Sequence, residues 1–315
     1  MAEPIDTAEA RPAGEPRYMG GQAVLEGVMM RGATTWAIAV RRPDGGVAVD
    51  VREVPGWSDR YSKIPLLRGV MGLAESLGLG YRALTWSANQ QIPEEDQISE
   101  KALGWAVLPV ALFFSAVFIV IPAFAGKGLS HWFHGSFPIV EGVVRLALFV
   151  AYLGLVGCLK DIKRVFQYHG AEHKAIAAYE NDVELTPEAA QQFSTAHVRC
   201  GTNFLLTVMV VAVFVYSVIP RPNLWFVIGS RIVLTPVIAG LSYEVIRFAA
   251  KNMQRRWVRV LIRPGLLLQR LTTREPDLGQ LEVAIASLQA VLTTQQQIEV
   301  ASRAGRMVPA VAPAV

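Results

Sequence analysis

The placement of charge limits what this chain can fold into more than any other feature. Residues 103–124 carry no charged side chain. As an α-helix rising about 1.5 Å per residue, that stretch crosses the roughly 30 Å hydrocarbon core of a bilayer. Windows at 138–159, 204–219 and 224–246 are nearly as apolar. Elsewhere polarity is ordinary, so the 18% of charged residues, against about 25% in a soluble domain, reflects local depletion. The expected fold class is mainly α and integral to a membrane, with about four transmembrane helices, an N-terminal β-hairpin and cytoplasmic amphipathic helices.

The hairpin is expected from alternation. Trp36, Ile38 and Val40 share one face of a first strand and Val47, Val49 and Val51 one face of a second, with Pro43-Asp44-Gly45-Gly46 as the turn between them. Residues 66–89 are apolar but interrupted by Arg68, Glu75 and Arg82, which suits an interfacial helix better than a span. Five parts follow: a disordered arm (1–17), a cytoplasmic segment with a Gly-rich stretch, hairpin and interfacial helix (18–102), a four-span membrane domain with a cytoplasmic His/Cys loop at 160–203 (103–246), basic and amphipathic C-terminal helices (247–300), and a disordered tail (301–315). In the last helix Leu281, Ile285, Leu288 and Leu292 recur at helical spacing.

Orientation follows from the positive residues. Lys160, Lys163, Arg164, Lys174 and Arg199 lie between the second and third windows, and Arg247, Lys251, Arg255, Arg256, Arg259 and Arg263 follow the fourth. The opposite connections hold only Lys127 and Arg221. Both termini and the 160–203 loop are therefore expected in the cytoplasm. The first twenty residues lack the apolar core of a signal peptide. The two cysteines, Cys158 and Cys200, are too few for a disulfide framework. No zinc finger or nucleotide fingerprint points to nucleic acid. Membrane lipids, and a membrane or cytoplasmic protein docked on the basic helices, are the expected partners.

Three of the five histidines and one cysteine fall in His169-Gly-Ala-Glu172-His173 and His197-Val-Arg-Cys200. No proline separates Pro138 from Pro187, so the second span is expected to continue as one helix, on which Ile162, Val165, Phe166, His169, His173 and Ile176 form a stripe facing packed protein. Histidines at i and i+4 bring both imidazoles to one point and suit a divalent ion. With His197 and Cys200 as further ligands, the mixture of nitrogen and thiolate favours zinc. The order His-x-x-Glu-His also matches the inverted zincin pattern, in which the carboxylate is a general base. A buried hydrogen-bond network would use the same residues. If metal binds, His169, His173, His197 and Cys200 make a closed structural site, whereas three of them with Glu172 as base make a catalytic one.

Other charges interrupt apolar surroundings. Glu141, Arg145 and Arg231 suggest a buried ion network, a spare cation for a lipid phosphate, or simple snorkelling to the headgroups. Glu244 and Arg247 read as a helix-end pair. Glu26 and Arg31 stand among Val, Leu and Met in the Gly-rich stretch and read as lining of a site. His131 and His134 read as ordinary loop residues.

Several stretches together resemble the signature blocks of the bacterial YqhQ family: 20–31, Phe166-Gln-Tyr-His-Gly-Ala-Glu-His-Lys174, His197-Val-Arg-Cys-Gly-Thr-Asn203, Leu241-Ser-Tyr-Glu-Val-Ile-Arg247 and Leu271-Thr-Thr-Arg-Glu-Pro276. The resemblance extends over roughly residues 18–292. It implies a polytopic protein of the bacterial inner membrane and a metal-dependent enzyme of unknown substrate, and it points to Glu26, His169, Glu172, His173, His197 and Cys200. The resulting expectation is a divalent-metal site at the cytoplasmic face, with Glu172 or Glu26 as base in hydrolysis of a peptide or lipid-linked group. The alternative is a non-catalytic scaffold or regulator in which the His/Cys cluster is structural. A transporter fits less well, because the first, third and fourth windows lack paired intramembrane carboxylates or histidines.

Overall fold

The computed structural model describes residues 19–129, 137–197, 200–220 and 222–303, with side chains at 100–103 and 295–303 left aside. The expected arm, nearly all of the expected tail, and His131 and His134 lie outside the described residues.

The N-terminal sheet is larger than the expected hairpin. Four antiparallel strands, β1 (Gly20–Val24), β2 (Gly27–Arg31), β3 (Thr35–Arg41) and β4 (Val47–Glu53), pair in the order β1-β2-β3-β4. The anticipated hairpin is β3–β4, in register from Thr35↔Glu53 to Arg41↔Val47. The Gly-rich stretch supplies the other two strands. It reverses at Leu25-Glu26, where Glu26 takes a left-handed φ of 52°. Gly27 then lies against β3 so closely that a Cβ would collide with the Ala39 carbonyl oxygen. Glycines hid these strands from a reading based on alternation.

Both faces of the sheet are covered, which is why β2 and β3 are buried almost residue for residue. On one face Val24, Met29, Trp36, Ile38 and Val40 meet Leu79 and Ala83 of α1 (Leu67–Asn89). On the other, Val28, Met30, Ala37 and Ala39 pack with Tyr168, Ala171 and Ala175 of α5 (Lys160–Glu180) and with Leu281, Ala284 and Leu288 of α10 (Leu278–Arg303). The expected amphipathic C-terminal helix is therefore a central element. Its Ser287 hydroxyl donates to the Ala37 carbonyl at 3.0 Å.

Two helical excursions leave this body and return to it. The first goes out through α2 (Glu100–Ser115), a π-helical turn at Ala116–Val120 and α3 (Ile121–Leu129), and comes back along α4 (Phe137–Val156). The second is α7 (Gly201–Ser217) and α8 (Leu224–Lys251), after which α9 (Arg256–Thr272) leads into α10. A short α6 (Pro187–Gln191) lies between α5 and α7.

Among the described residues, three helices are long and apolar enough to cross a membrane: Gly104–Leu129, Phe137–Val156 and Leu224–Lys251. The expected count was four. At 17 residues α7 is shorter, about 25 Å at helical rise, because its first turn is Gly201-Thr-Asn and begins at Cys200 in the candidate site.

The second span does not run on into α5, as the lack of proline suggested. It stops at Val156, and Leu159 is extended with ψ 135° before α5 begins. Phe166 folds back onto Gly157, where a Cβ would stand 3.3 Å from its ring and 3.0 Å from the Leu153 carbonyl. Glycine at 157 thus permits a break that proline usually marks. Glu244 has a stronger partner than expected: it accepts 2.7 Å and 2.5 Å hydrogen bonds from Arg68 of α1, with Arg247 adding a lesser attraction.

Candidate metal centre

The centre is built on α5. Arg164, Tyr168, Ala171 and Ala175 face the sheet, and His169 and His173 lie about a quarter-turn or more further round. Glu172 stands between the two faces. Opposite the histidines are the end of α9, the 192–197 segment and Cys200 at the start of α7.

His169, His173 and Cys200 each turn one ligand atom inward, and those atoms all lie within 4.8 Å of one another. His169 Nε2 is 3.3 Å from Cys200 Sγ, close to the roughly 3.5 Å that a nitrogen and a sulfur subtend around tetrahedral zinc. Nδ1 of His169 meets the Thr272 carbonyl at 2.8 Å, and Nδ1 of His173 meets the Thr195 carbonyl at 2.5 Å. A carbonyl only accepts, so each Nδ1 carries the proton and each Nε2 presents its lone pair. This is the orientation that metal-ligating histidines take from an outer carbonyl. Burial, with His169 next, pushes His173 down to about 3, keeping its imidazole neutral. Burial also raises the Cys200 thiol, as expected for a thiol that ionises only beside a cation. The donor set fits a borderline-soft divalent ion.

Glu172 is 5% exposed. Its side chain lies on the backbone of β1, where a Cβ on Gly21 would approach Glu172 Cγ, Cδ and Oε1 at 2.8 Å. Gly21 is thus required by contact with a site residue. The carboxylate has no hydrogen-bond partner among the described residues, and burial raises it to about 8, with His169 opposing the shift and Cys200 adding to it. Metal-free protein should therefore lose stability as pH rises from about 5 to about 8: the native state holds a proton that the unfolded chain releases near the ordinary value. Glu172→Gln should flatten that slope in pH-dependent unfolding; an unchanged slope would show that Glu172 is not the group responsible.

The other expected site residues are placed differently. His197 stacks 5.6 Å from His173, centroid to centroid, but its Nε2 is 3.4 Å from Glu180 Oε2. Its backbone is clamped by Gln269, which accepts from His197 N at 2.9 Å and donates to His197 O at 2.8 Å. It flanks the three-ligand cluster without joining it. Glu26 lies at the β1–β2 turn, paired with the Arg164 guanidinium and accepting from Tyr168 Oη at 3.3 Å. Arg31 pairs with buried Glu75 at 2.5 Å. Both residues brace the sheet against helices.

Sequence reasoning missed the outer carbonyls of Thr195 and Thr272, the Gln269 clamp and Gly21. The 271–276 block held the available signal. It runs along α5, with Arg274 N donating to Phe166 O at 2.9 Å, Glu275 pairing with buried Lys174 at 2.6 Å, and the Arg274 carbonyl seated over Gly170.

A model for a protein of unknown function, DUF1385, matches residues 64–294. The chain is also 36% identical over 297 residues to a protein of Bacillus subtilis (strain 168) described as uncharacterized protein YqhQ, covering 88% of this chain and 93% of that one. No solved structure matches. With the family model covering most of the chain and this relative aligned over nearly its whole length, the chain belongs to the DUF1385 family.

Proposed function

We propose that this protein is a metal-dependent hydrolase of the bacterial inner membrane, acting on a peptide segment at the cytoplasmic surface. The observation that carries the reading is the convergence of ligand atoms from His169, His173 and Cys200 near buried Glu172, whose carboxylate has no hydrogen-bond partner among the described residues. The two excursions would enter the bilayer from one side. Because the chain before α7 and after α8 belongs to the same body, α7 must cross with α8 despite its length. Lys160, Lys163, Arg164 and the arginines of α9 then lie on the cytoplasmic side.

Zinc, held by His169, His173 and Cys200, would polarise a substrate carbonyl as a Lewis acid. Thr272 and Thr195 keep the two imidazoles in register. Glu172, raised toward neutrality, suits a general base: it takes a proton from water as the oxygen adds to the carbonyl carbon, and returns it to the leaving nitrogen as the C–N bond breaks. A peptide is favoured over other substrates by β1. It is the edge strand of the sheet, and Gly21 within it lies against the Glu172 side chain. Such an edge recognises extended backbone.

One feature favours a scaffold instead. The His169–Cys200 contact and the two histidine–carbonyl bonds already tie α5 to α7, α9 and the 195 segment. Incubation of metal-loaded protein in proteoliposomes with a fluorogenic peptide library separates the readings. Cleavage by the wild type, lost in Glu172→Gln with metal content and circular dichroism unchanged, is the expected result. No cleavage by either protein would leave the scaffold reading in its place.

A further inference from the structure

A second charged cluster lies between the apolar helices, away from the histidines. Arg231 of α8 is fully buried, with Glu141 and Arg145 of α4 at 1% and 8% exposure. Glu141 accepts from Arg145 Nη2 at 2.6 Å, and from Arg231 Nε at 3.0 Å and Nη2 at 2.5 Å. Arg231 Nη1 is used by Ser230 at 3.2 Å, and its guanidinium lies 3.9 Å over the Tyr216 ring of α7. Close helix approach makes the cluster: a Cβ on Gly142 would collide with Val213, and one on Gly126 would stand 3.3 Å from Glu141 Cβ. These residues form a buried network rather than snorkelling separately.

Its charge does not balance. A guanidinium stays protonated at any accessible pH, so two of them against one carboxylate leave a single positive charge among apolar helices, where an uncompensated ion is costly. Each nitrogen of Arg231 has a protein partner. Arg145 differs: Nε donates to Phe118 O at 2.8 Å and Nη2 to Glu141, while Nη1 has no acceptor among the described residues. The Phe118 carbonyl belongs to the π-helical turn at Ala116–Val120, a local distortion often kept at functional sites. The turn thus helps hold Arg145 with Nη1 left open to a ligand.

We infer that Arg145 and the residual charge of this network form a binding site for a phosphate group. Arg145 stands roughly 12 Å along α4 from Phe137, and Arg231 roughly 10 Å along α8 from Leu224, so both lie nearer the helix ends opposite the histidine centre than the other ends. The phosphate can come from a lipid headgroup or from free phosphate. The site is independent of the metal reading.

The test uses full-length protein in non-ionic, phosphate-free detergent, titrated with phosphatidylglycerol or with inorganic phosphate while thermal unfolding is followed. Wild type should be stabilised by one or both. Response to lipid alone assigns the headgroup, and response to inorganic phosphate as well assigns the free anion. Arg145→Gln leaves Glu141 and Arg231 as a balanced pair, so it should fold and bind at least tenfold more weakly; Arg145→Lys, which keeps the charge and loses the fork, should fall between. Should Arg145→Gln fail to fold, Arg145→Lys beside wild type carries the comparison. No stabilisation of wild type by either ligand, or an undiminished response in the variants, overturns the inference.

Discussion

Replacing Gly170 with leucine should destabilise the protein by roughly 3 kcal/mol and open the histidine centre from the α9 side. A Cβ at this position collides with the Arg274 carbonyl oxygen and stands 3.2 Å from Thr195 Cγ2. Those neighbours belong to the two segments whose carbonyls orient His169 and His173. Backbone cannot rotate aside as a side chain can, so the 272–276 segment must lift from α5. Thermal unfolding in detergent reads the loss. Gly78→Ala is the control: nothing lies within 4 Å of its added Cβ, and exchange within α1 should be neutral or stabilising by up to about 1 kcal/mol. Equal behaviour of the two variants would contradict the close approach at Gly170.

The second large effect concerns the apolar helices α4 and α8. Glu141→Leu strands two guanidiniums without their carboxylate, and removal of one partner from a buried ion network costs about 3–5 kcal/mol. The double variant Glu141→Leu, Arg231→Leu removes a charge of each sign and should lose less than Glu141→Leu alone. A double variant as damaged as the sum of its two single variants would mean that the residues act through packing and not as a coupled network.

Much of this arrangement was readable from residue spacing. His169 and His173 one turn apart, with Glu172 between, placed the centre before any coordinates, because helical periodicity fixes which side chains meet. The apolar windows located the excursions, because a run that long and that poor in charge is read as a span. Tertiary information was less accessible. β1 and β2 were invisible because Gly20, Gly21 and Gly27 carry no side-chain pattern, and what selects Gly21 and Gly27 is close approach to Glu172 and Ala39. The break at Gly157 escaped a rule that looks for proline. Glu26 stood out as a charge among apolar residues, but its partner Arg164 is 138 positions away, and only the packing of β1 on α5 reveals that the pair is a brace. The role of the 271–276 block depends on its backbone carbonyls, which no side-chain motif encodes.

The decisive measurement is the metal content of full-length protein purified in detergent without chelator and analysed by elemental mass spectrometry, beside His173→Ala and Cys200→Ala. A centre built from His169, His173 and Cys200 predicts about one divalent ion, zinc foremost, per chain, lost in both variants while circular dichroism is retained. Wild-type protein without stoichiometric metal, or variants that keep it, would contradict the centre and leave the three residues as a hydrogen-bonded staple.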